Sequence, residues 1–291
     1  MSSDKLLKIL AFVTLFEMMI YVGLSASVSD FIDTAKSLGL VARGVLSNYV
    51  LVPAITVGLL LLFHPDPLVA VGFLILAVCP AGPYGTLCTQ IAKGNVGQAA
   101  GLMVLLAGLS PFLSPLLLRL LVPIASGDRM VKIAIAKMVL ILLLAQLLPV
   151  LGAFATQKWW PQLAAKLVGP AEKGTRILNA LFLAALLYAQ FHSLLLIKVR
   201  GFVGMAILLM ATMAIGWVFG GPGREARAAM TLTTAVRNNG VAMVIATGAF
   251  SGTAAVTAAV VYSVVGFLGA LLLALWWGKH APARAVGASV P

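Results

Sequence analysis

Charged residues are scarce in this sequence, since Asp, Glu, Lys and Arg make up only 10% of its 291 residues. A soluble domain carries about 25% charged and about 45–50% apolar residues. Here 62% of the residues are hydrophobic, and the mean hydropathy is +1.08. The composition therefore excludes an ordinary soluble domain. It predicts an all-α polytopic membrane protein whose surroundings are a lipid bilayer.

Acidic residues are especially few, because eight Asp and Glu stand against twenty Lys and Arg, for a net charge of +12. The sequence has no basic patch interleaved with aromatic residues, so no nucleic acid partner is expected. Most of the Lys and Arg lie in short segments between apolar runs, where positive charge orients membrane helices. Alternate segments hold eleven and seven of them. This favours a cytoplasmic-membrane protein with its N-terminus outside and its C-terminus inside.

The sequence also lacks the residue patterns of catalysis and metal binding. Its two cysteines, Cys79 and Cys88, lie within or beside one apolar run and show no metal-ligand spacing. No Ser-His-Asp set, carboxylate pair or HExxH motif is present. We interpret both thiols as packing residues, and we expect neither an enzyme nor a bound cofactor.

Apolar runs of about 20 residues, long enough to cross a bilayer, recur along the whole chain. Nine spans are predicted, at about 7–27, 41–63, 67–92, 96–123, 130–155, 177–197, 202–220, 228–250 and 254–277. Residues 156–176 are predicted to form the longest loop, in which Trp159 and Trp160 are interfacial anchors. Residues 1–291 are thus expected to form a single transmembrane domain.

The third predicted span is interrupted by Pro80, Gly82, Pro83 and Gly85 within six residues. Proline inside a helix removes a hydrogen bond and clashes with the preceding turn, and glycine weakens what remains. We therefore predict a broken helix at about 79–86.

The eighth predicted span contains Arg237, Asn238 and Asn239, followed by Gly240. A guanidinium at the centre of a bilayer costs about 2.5–3.5 kcal/mol on insertion scales. Polar, non-helical backbone at that depth is tolerated only within protein or beside water. A pair of interrupted spans in two halves of a chain is typical of the binding site of a secondary transporter. A second broken helix is predicted at about 233–240.

The residues at both breaks resemble the bile acid:sodium symporter family. The first break reads CPAGPYGT and then LCTQIAKGNV, from Cys79 to Val96, against CPGG-T-A-S-N and a stretch ending in AKG in that family. The second reads TTAVRNNGVA from Thr233 to Ala242, against E-x-G-x-Q-N-S-G-L-A. The resemblance implies core and panel domains built from inverted repeats of four and five spans, at about 7–124 and 130–277. It also implies that the broken helices cross near the midplane and that sodium drives organic anion transport.

Several positions at which the resemblance implies sodium ligands carry other residues. These positions are Asn48, Gly85, Thr86, Ala99, Met103, Thr233 and Arg237, whereas the asparagine of the second break is kept as Asn238. Thr233 replaces the acidic residue and Arg237 replaces a glutamine, so a carboxylate is missing and a permanent cation is present. A guanidinium about 4 Å from a cation repels it by about 4 kcal/mol at an effective dielectric constant of 20. We therefore expect both sodium sites to be lost.

Two hypotheses describe Arg237. It either stands where sodium would otherwise organise the crossing, or faces a cavity and binds a carboxylate substrate through its forked donors. Glu17 is the one acidic residue deep in a predicted span. It either pairs with Arg237 or Lys137, couples transport to protons, or accepts a hydrogen bond from a nearby hydroxyl or backbone group.

The sequence thus predicts a secondary transporter of a small organic anion that works by alternating access. The candidate binding residues are Glu17, Asn48, Gly82, Pro83, Thr86, Thr233, Arg237, Asn238 and Asn239. One alternative is a membrane sensor or binding protein on a transporter fold. Another is a carrier of a neutral or arsenite-like solute, in which Cys88 would take part.

Overall fold

A computed structural model describes residues 3–126, 135–195 and 199–281 of the chain. Every regular element in these ranges is helical. Seven helical segments there are long and apolar enough to cross a membrane, namely Lys5–Ser25, Leu38–Phe63, Val96–Ile124, Ala136–Trp159, Pro161–Phe191, Val199–Phe219 and Ala254–Lys279. The prediction of an all-α polytopic membrane protein is confirmed.

Most of the long segments are continuous helices. They are α1 (Ser3–Ser25), α7 (Val96–Ser126), α10 (Pro161–Leu195), α11 (Val199–Phe219) and α14 (Ala254–Lys279). Two other segments contain one π-helical stretch each. They are α3 (Leu38–Val45), π-turn Leu46–Leu51 and α4 (Val52–Phe63), then α8 (Ile135–Leu142), π-turn Leu143–Leu147 and α9 (Leu148–Trp159). A short amphipathic helix, α2 (Val28–Lys36), follows α1.

Two predicted spans are interrupted where proline, glycine and polar residues break the helical pattern. They form the pairs α5 (Pro67–Ala77) with α6 (Tyr84–Ile91), and α12 (Arg224–Ala235) with α13 (Asn239–Ala249). Both predicted breaks are therefore present. Because each of these spans is divided into two short helices, the total of nine spans stays a prediction, as does the division into two repeats.

The prediction of a long loop at residues 156–176 is wrong. Trp160 alone separates α9 from α10, and the chain is helical from Pro161 onward. Charged residues in this stretch resembled a loop pattern, but Ala164 is buried in a small apolar cluster with Leu24 and Ala153. The basic residues from 166 to 176 thus belong to a helix, and the predicted orientation of the two ends stays a prediction.

Helix α1 packs between α9 and α10 and also touches the start of α13. Close packing with α9 is possible because Gly23 faces Val150 and Ala153, where any β-carbon would collide. The side chain of Met18 reaches Gly240 in the first turn of α13. Helix α1 therefore connects the α9–α10 side of the molecule to the second break.

Candidate functional site

The two breaks meet, and their backbones pair. The amide of Gly82 donates to the carbonyl of Val236 at 2.9 Å, and the amide of Asn238 donates to the carbonyl of Cys79 at 2.9 Å. Backbone groups that leave a helix inside a membrane need partners. Each break supplies the partner of the other, so the broken helices cross at these residues.

Glycine allows the backbones to approach this closely. A β-carbon on Gly82 would collide with the carbonyl oxygen of Arg237, and one on Gly85 would lie 3.2 Å from the carbonyl oxygen of Leu232. Pro83 directly precedes α6 and needs no backbone partner, because proline has no N–H. Of the candidate residues, Gly82 therefore permits the close crossing because it has no side chain, and Pro83 because it has no backbone N–H to satisfy.

The guanidinium of Arg237 lies inside the crossing, and the side chain is only 4% exposed. Its Nε donates to the carbonyl of Leu76 at 3.0 Å, and Nη2 donates to the carbonyl of Ala77. Its Nη1 donates to Asn48 Oδ1 at 2.8 Å and to the carbonyl of Thr234 at 3.2 Å. The last carbonyls of a helix lack intrahelical partners and carry the negative end of its dipole. Arg237 thus caps the C-terminal ends of both α5 and α12.

These four bonds use four of the five N–H groups of Arg237. In the described part of the chain, the one ion pair joins Glu172 and Arg176, so carbonyl dipoles rather than a carboxylate balance the Arg237 charge. The hypothesis that Arg237 faces a cavity and binds a carboxylate directly does not fit this buried, bonded side chain. The hypothesis of a built-in cation does fit it.

Asn48 is fully buried and positions its oxygen toward Arg237. Its Nδ2 donates to the carbonyl of Gly44 at 3.0 Å and to Thr234 Oγ1 at 3.3 Å. Because a carbonyl can only accept, the bond to Gly44 sets which side-chain atom is the nitrogen. Asn48 lies in the π-turn Leu46–Leu51, and such turns are frequent at functional sites. The first half of the chain thereby supplies an oxygen to the second break.

The other polar residues of the second break keep unused hydrogen-bonding groups. Asn238 Oδ1 accepts from the amide of Val241 at 3.2 Å and caps α13, while Asn238 Nδ2 is buried without a partner. Thr233 Oγ1 is also buried without a partner. Asn239 is partly exposed at the first position of α13. Unpaired buried polar groups are uncommon, so these atoms are candidate contacts for water or a ligand.

Thr86 lies at the first break, away from the hydrogen bonds of Arg237. Its hydroxyl is 3.7 Å from the sulfur of Met103 and donates weakly to it. Ala99, one turn before Met103, is fully buried and apolar. A thioether thus stands beside Thr86, and Met103 and Ala99 provide sulfur and a methyl group where the resemblance implies hydroxyl ligands.

Glu17 forms neither a hydrogen bond nor an ion pair with Arg237 in the described residues. Its Oε2 accepts from the hydroxyl of Thr175 at 2.6 Å, and its Oε1 lies against Gly174 of α10. Lys137 is exposed and makes no ion pair with Glu17 within the described ranges. Of the alternatives for Glu17, pairing with a cation is wrong, and hydrogen bonding to a hydroxyl is what the structure contains.

The sequence interpretation missed Thr175 and the adjacent Arg176. The spacing of Glu172 and Arg176 is the i,i+4 arrangement typical of an ion pair on a helix surface. This spacing can be read from the sequence, but it indicates an ion pair only on a helix, and residues 156–176 were interpreted as a loop. Cys79 and Cys88 are both free and fully buried, as packing residues would be.

The sequence of this chain is similar to the sequences of known transporters. Residues 12–215 match the Sodium Bile acid symporter family. The chain is also 24% identical over 290 residues to a Bacillus subtilis (strain 168) protein described as the uncharacterized sodium-dependent transporter YocS. That alignment covers 95% of this chain and 86% of the Bacillus protein.

Proposed function

This chain belongs to the sodium bile acid symporter family, and we propose that it carries a small organic anion across the membrane by alternating access. The family and the Bacillus relative indicate a sodium-dependent secondary transporter rather than an enzyme. The kind of solute and its coupling to ions are what the proposal adds. A cytoplasmic membrane, with the N-terminus outside and the C-terminus inside, is the proposed location.

The proposal of an anionic solute rests on the helix ends at the crossing. Helices α6 and α13 begin at Tyr84 and Asn239, directly after the paired segments. Helix N-termini carry partial positive charge and favour anionic ligands, and broken helices in transporters use them in this way. Partly exposed Thr86 and Asn239 lie in the first turns of these helices and can add hydrogen bonds.

One observation carries the proposal about ions, namely the set of oxygens that Arg237 occupies. Asn48 Oδ1 and the carbonyls of Leu76, Ala77 and Thr234 are the kind of oxygens that a sodium ion would take as ligands. A second cation about 4 Å from the guanidinium would be repelled by about 4 kcal/mol at an effective dielectric constant of 20. We therefore propose that Arg237 replaces one sodium ion permanently.

The surroundings of Thr86 support the same proposal for a second sodium position. A sodium ion prefers several oxygen ligands. Met103 offers a sulfur atom instead, and the methyl side chain of Ala99 offers no ligand atom. Thr233 contributes a neutral hydroxyl instead of a carboxylate. These residues fit a sodium ion poorly, and transport without sodium is the proposed consequence.

Protons are the coupling ion that we propose in place of sodium. Glu17 lies about 12 Å from the Ser25 end of α1, at 1.5 Å per residue. Its hydrogen bond from Thr175 and its lack of a cationic partner in the described residues suit a carboxyl group that gains and loses a proton. Intramembrane carboxyl groups commonly serve as proton relays.

Uptake into proteoliposomes tests the proposal. Purified protein is reconstituted and exposed to a panel of radiolabelled organic acids, with external sodium or choline and with or without an imposed pH gradient. We expect uptake of at least one acid that persists in choline and increases with an inward proton gradient. Protein-free liposomes and liposomes treated with a protonophore are the controls. A strict requirement for sodium would overturn the proposed role of Arg237.

A further inference from the structure

One end of the helix bundle carries an excess of positive charge. Helix α3, the α6–α7 link, the start of α12 and the end of α14 meet there. The amide of Asn95 donates to the carbonyl of Glu225 at 3.1 Å, and a β-carbon on Gly278 would collide with the carbonyl oxygen of Ile91. Five cations stand against one carboxylate in these segments, namely Arg43, Lys93, Arg224, Arg227 and Lys279 against Glu225.

Arg227 lies at the centre of these charges. Its Nε donates to the carbonyl of Gly221 at 3.1 Å, and its guanidinium lies over the ring of Trp217, 5.5 Å from the centroid. A β-carbon on Gly221 would lie 2.7 Å from Nη1 of Arg43, so both guanidinium groups stand beside the same glycine. Two like charges in this arrangement repel each other, and an anion bound to both removes the repulsion.

Arg224 joins this group through a pair of tryptophans. Its Nη2 donates to the carbonyl of Trp277 at 2.8 Å, and the ring of Trp277 packs on that of Trp217 with centroids 5.2 Å apart. Arg224 and Arg227 therefore approach the same aromatic pair. None of the arginines in this group takes part in an ion pair among the described residues, so their charges have no carboxylate partner there.

Most of the donors on these three side chains are unused. Each makes one hydrogen bond to a backbone carbonyl within the described ranges, to Gly39 for Arg43, to Trp277 for Arg224 and to Gly221 for Arg227. A guanidinium has five N–H groups. Phosphate oxygens are acceptors that arginine binds in pairs. The cluster therefore offers both the charge and the donors that a phosphate group requires.

Helices α11 and α14 each carry a stripe of exposed apolar residues. The stripes consist of Val203, Met210 and Val218 on α11 and of Leu268, Leu272 and Trp276 on α14. Both stripes end beside the cluster, because Val218 directly precedes the α11–α12 turn and Lys279 follows Trp276 by one turn. Tryptophan and basic residues beyond an apolar stripe are typical of the level of the lipid headgroups. The cluster thus lies where acyl chains meet headgroups.

We propose that Arg43, Arg224 and Arg227 bind the headgroup phosphate of an anionic phospholipid, whose acyl chains lie along the exposed stripes of α11 and α14. Lys93 and Lys279 are exposed and add attraction for a lipid with net negative charge. The bound phosphate separates the charges of the arginines and holds the start of α12, the helix that leads to the crossing. The site is distinct from the crossing and does not depend on which solute is carried.

Thermal unfolding in detergent micelles tests this lipid site. Delipidated protein is mixed with phosphatidylglycerol or with phosphatidylcholine, which share a phosphodiester but differ in net charge. We expect phosphatidylglycerol to raise the wild-type midpoint by several degrees more, because a ligand of the folded state stabilises it. In the double variant Arg43→Gln with Arg227→Gln, the difference between the lipids should disappear. Arg43→Lys with Arg227→Lys should keep part of it, since the charges remain.

The quantity compared is the difference between two lipids in the same variant, so a lower midpoint without lipid does not affect the result. Arg119→Gln is the matched control. Arg119 is an exposed cation about 35 Å along α7 from Val96, at 1.5 Å per residue, and its loss should leave the lipid difference as in the wild-type protein. A full lipid difference in the double glutamine variant, or an equal loss in Arg119→Gln, would overturn the assignment.

Two further measurements distinguish a lipid from a soluble phosphate. Glycerol 3-phosphate offers a phosphate without acyl chains and should leave the wild-type midpoint unchanged. Stabilisation by glycerol 3-phosphate as large as that by phosphatidylglycerol would overturn the lipid in favour of a soluble ligand. Native mass spectrometry counts the lipids that remain bound. The wild-type protein should retain at least one phosphatidylglycerol more than the double glutamine variant, and equal retention would contradict the site.

Discussion

Asn48 Oδ1 accepts a hydrogen bond from Arg237 Nη1 at 2.8 Å, and this bond joins the two halves of the chain at the crossing. The same guanidinium holds the carbonyls at the ends of α5 and α12. A side chain of the protein therefore performs the organising role that a bound cation could have. The positive charge that meets these carbonyl oxygens is part of the chain itself, so its presence does not depend on the ions in the solution.

Replacing Arg237 with glutamine should make the protein sensitive to sodium. The variant leaves the carbonyls of Leu76 and Ala77 without their donor and adds an amide oxygen beside them. Since each hydrogen bond to a charged group contributes about 1.5–3 kcal/mol, we expect the thermal midpoint to fall in potassium or choline. Sodium should reverse part of this fall in the thermal midpoint of the variant, while the wild-type midpoint should be the same in all three salts.

Arg200→Gln is the matched control for that variant. Arg200 is exposed and donates to the carbonyl of Phe63 at 3.0 Å, so its loss should change the midpoint little and without preference for sodium. A wild-type protein stabilised specifically by sodium would contradict the replacement of the ion by Arg237.

A double-mutant cycle measures the contact between Asn48 and Arg237. Asn48→Ala, Arg237→Gln and the double variant are compared with the wild-type protein by unfolding in detergent. Because both residues are buried and share one bond, we expect a coupling free energy of about 1–3 kcal/mol. Strict additivity of the two single effects would show that the bond contributes nothing to stability.

Gly82→Ala should disrupt the crossing. The added methyl group would meet the carbonyl oxygen of Arg237, and this backbone cannot move without breaking the bond between Gly82 and Val236. Overpacking of this kind costs about 1–3 kcal/mol, so we expect a lower thermal midpoint and loss of uptake. Gly58→Ala is the control, since Gly58 has nothing within 4 Å of the new atom.

Glu17→Gln should uncouple uptake from protons. The amide oxygen can still accept from Thr175, so the fold is kept while the titrating group is lost. We expect the stimulation of uptake by an inward proton gradient to disappear, with exchange at equal pH unchanged. Glu225→Gln, at an exposed position in the first turn of α12, should respond as the wild-type protein does. Full stimulation in Glu17→Gln would exclude Glu17 as the coupling residue.

The sequence was most informative where residues break a regular pattern. Pro80 and Pro83 interrupt an apolar run, and Arg237 with two asparagines interrupts another, so both breaks could be located from the sequence alone. The same reasoning failed at residues 156–176. Lysines and an arginine in that stretch were interpreted as a loop, because local polarity does not reveal that one face of the helix packs on α1 while its charged residues are exposed.

Composition and local pattern by themselves determined that this protein is an all-α membrane protein with two broken helices and a costly arginine in one of them. Those conclusions follow from short-range physics, since hydropathy and helix propensity act within a few residues. Tertiary structure alone decided what the polar residues contact. Arg237 could have paired with Glu17 or faced a cavity. It caps α5 and α12 and bonds Asn48 because folding brings carbonyls from distant segments to its donors, whereas Glu17 accepts a hydrogen bond from Thr175 of α10.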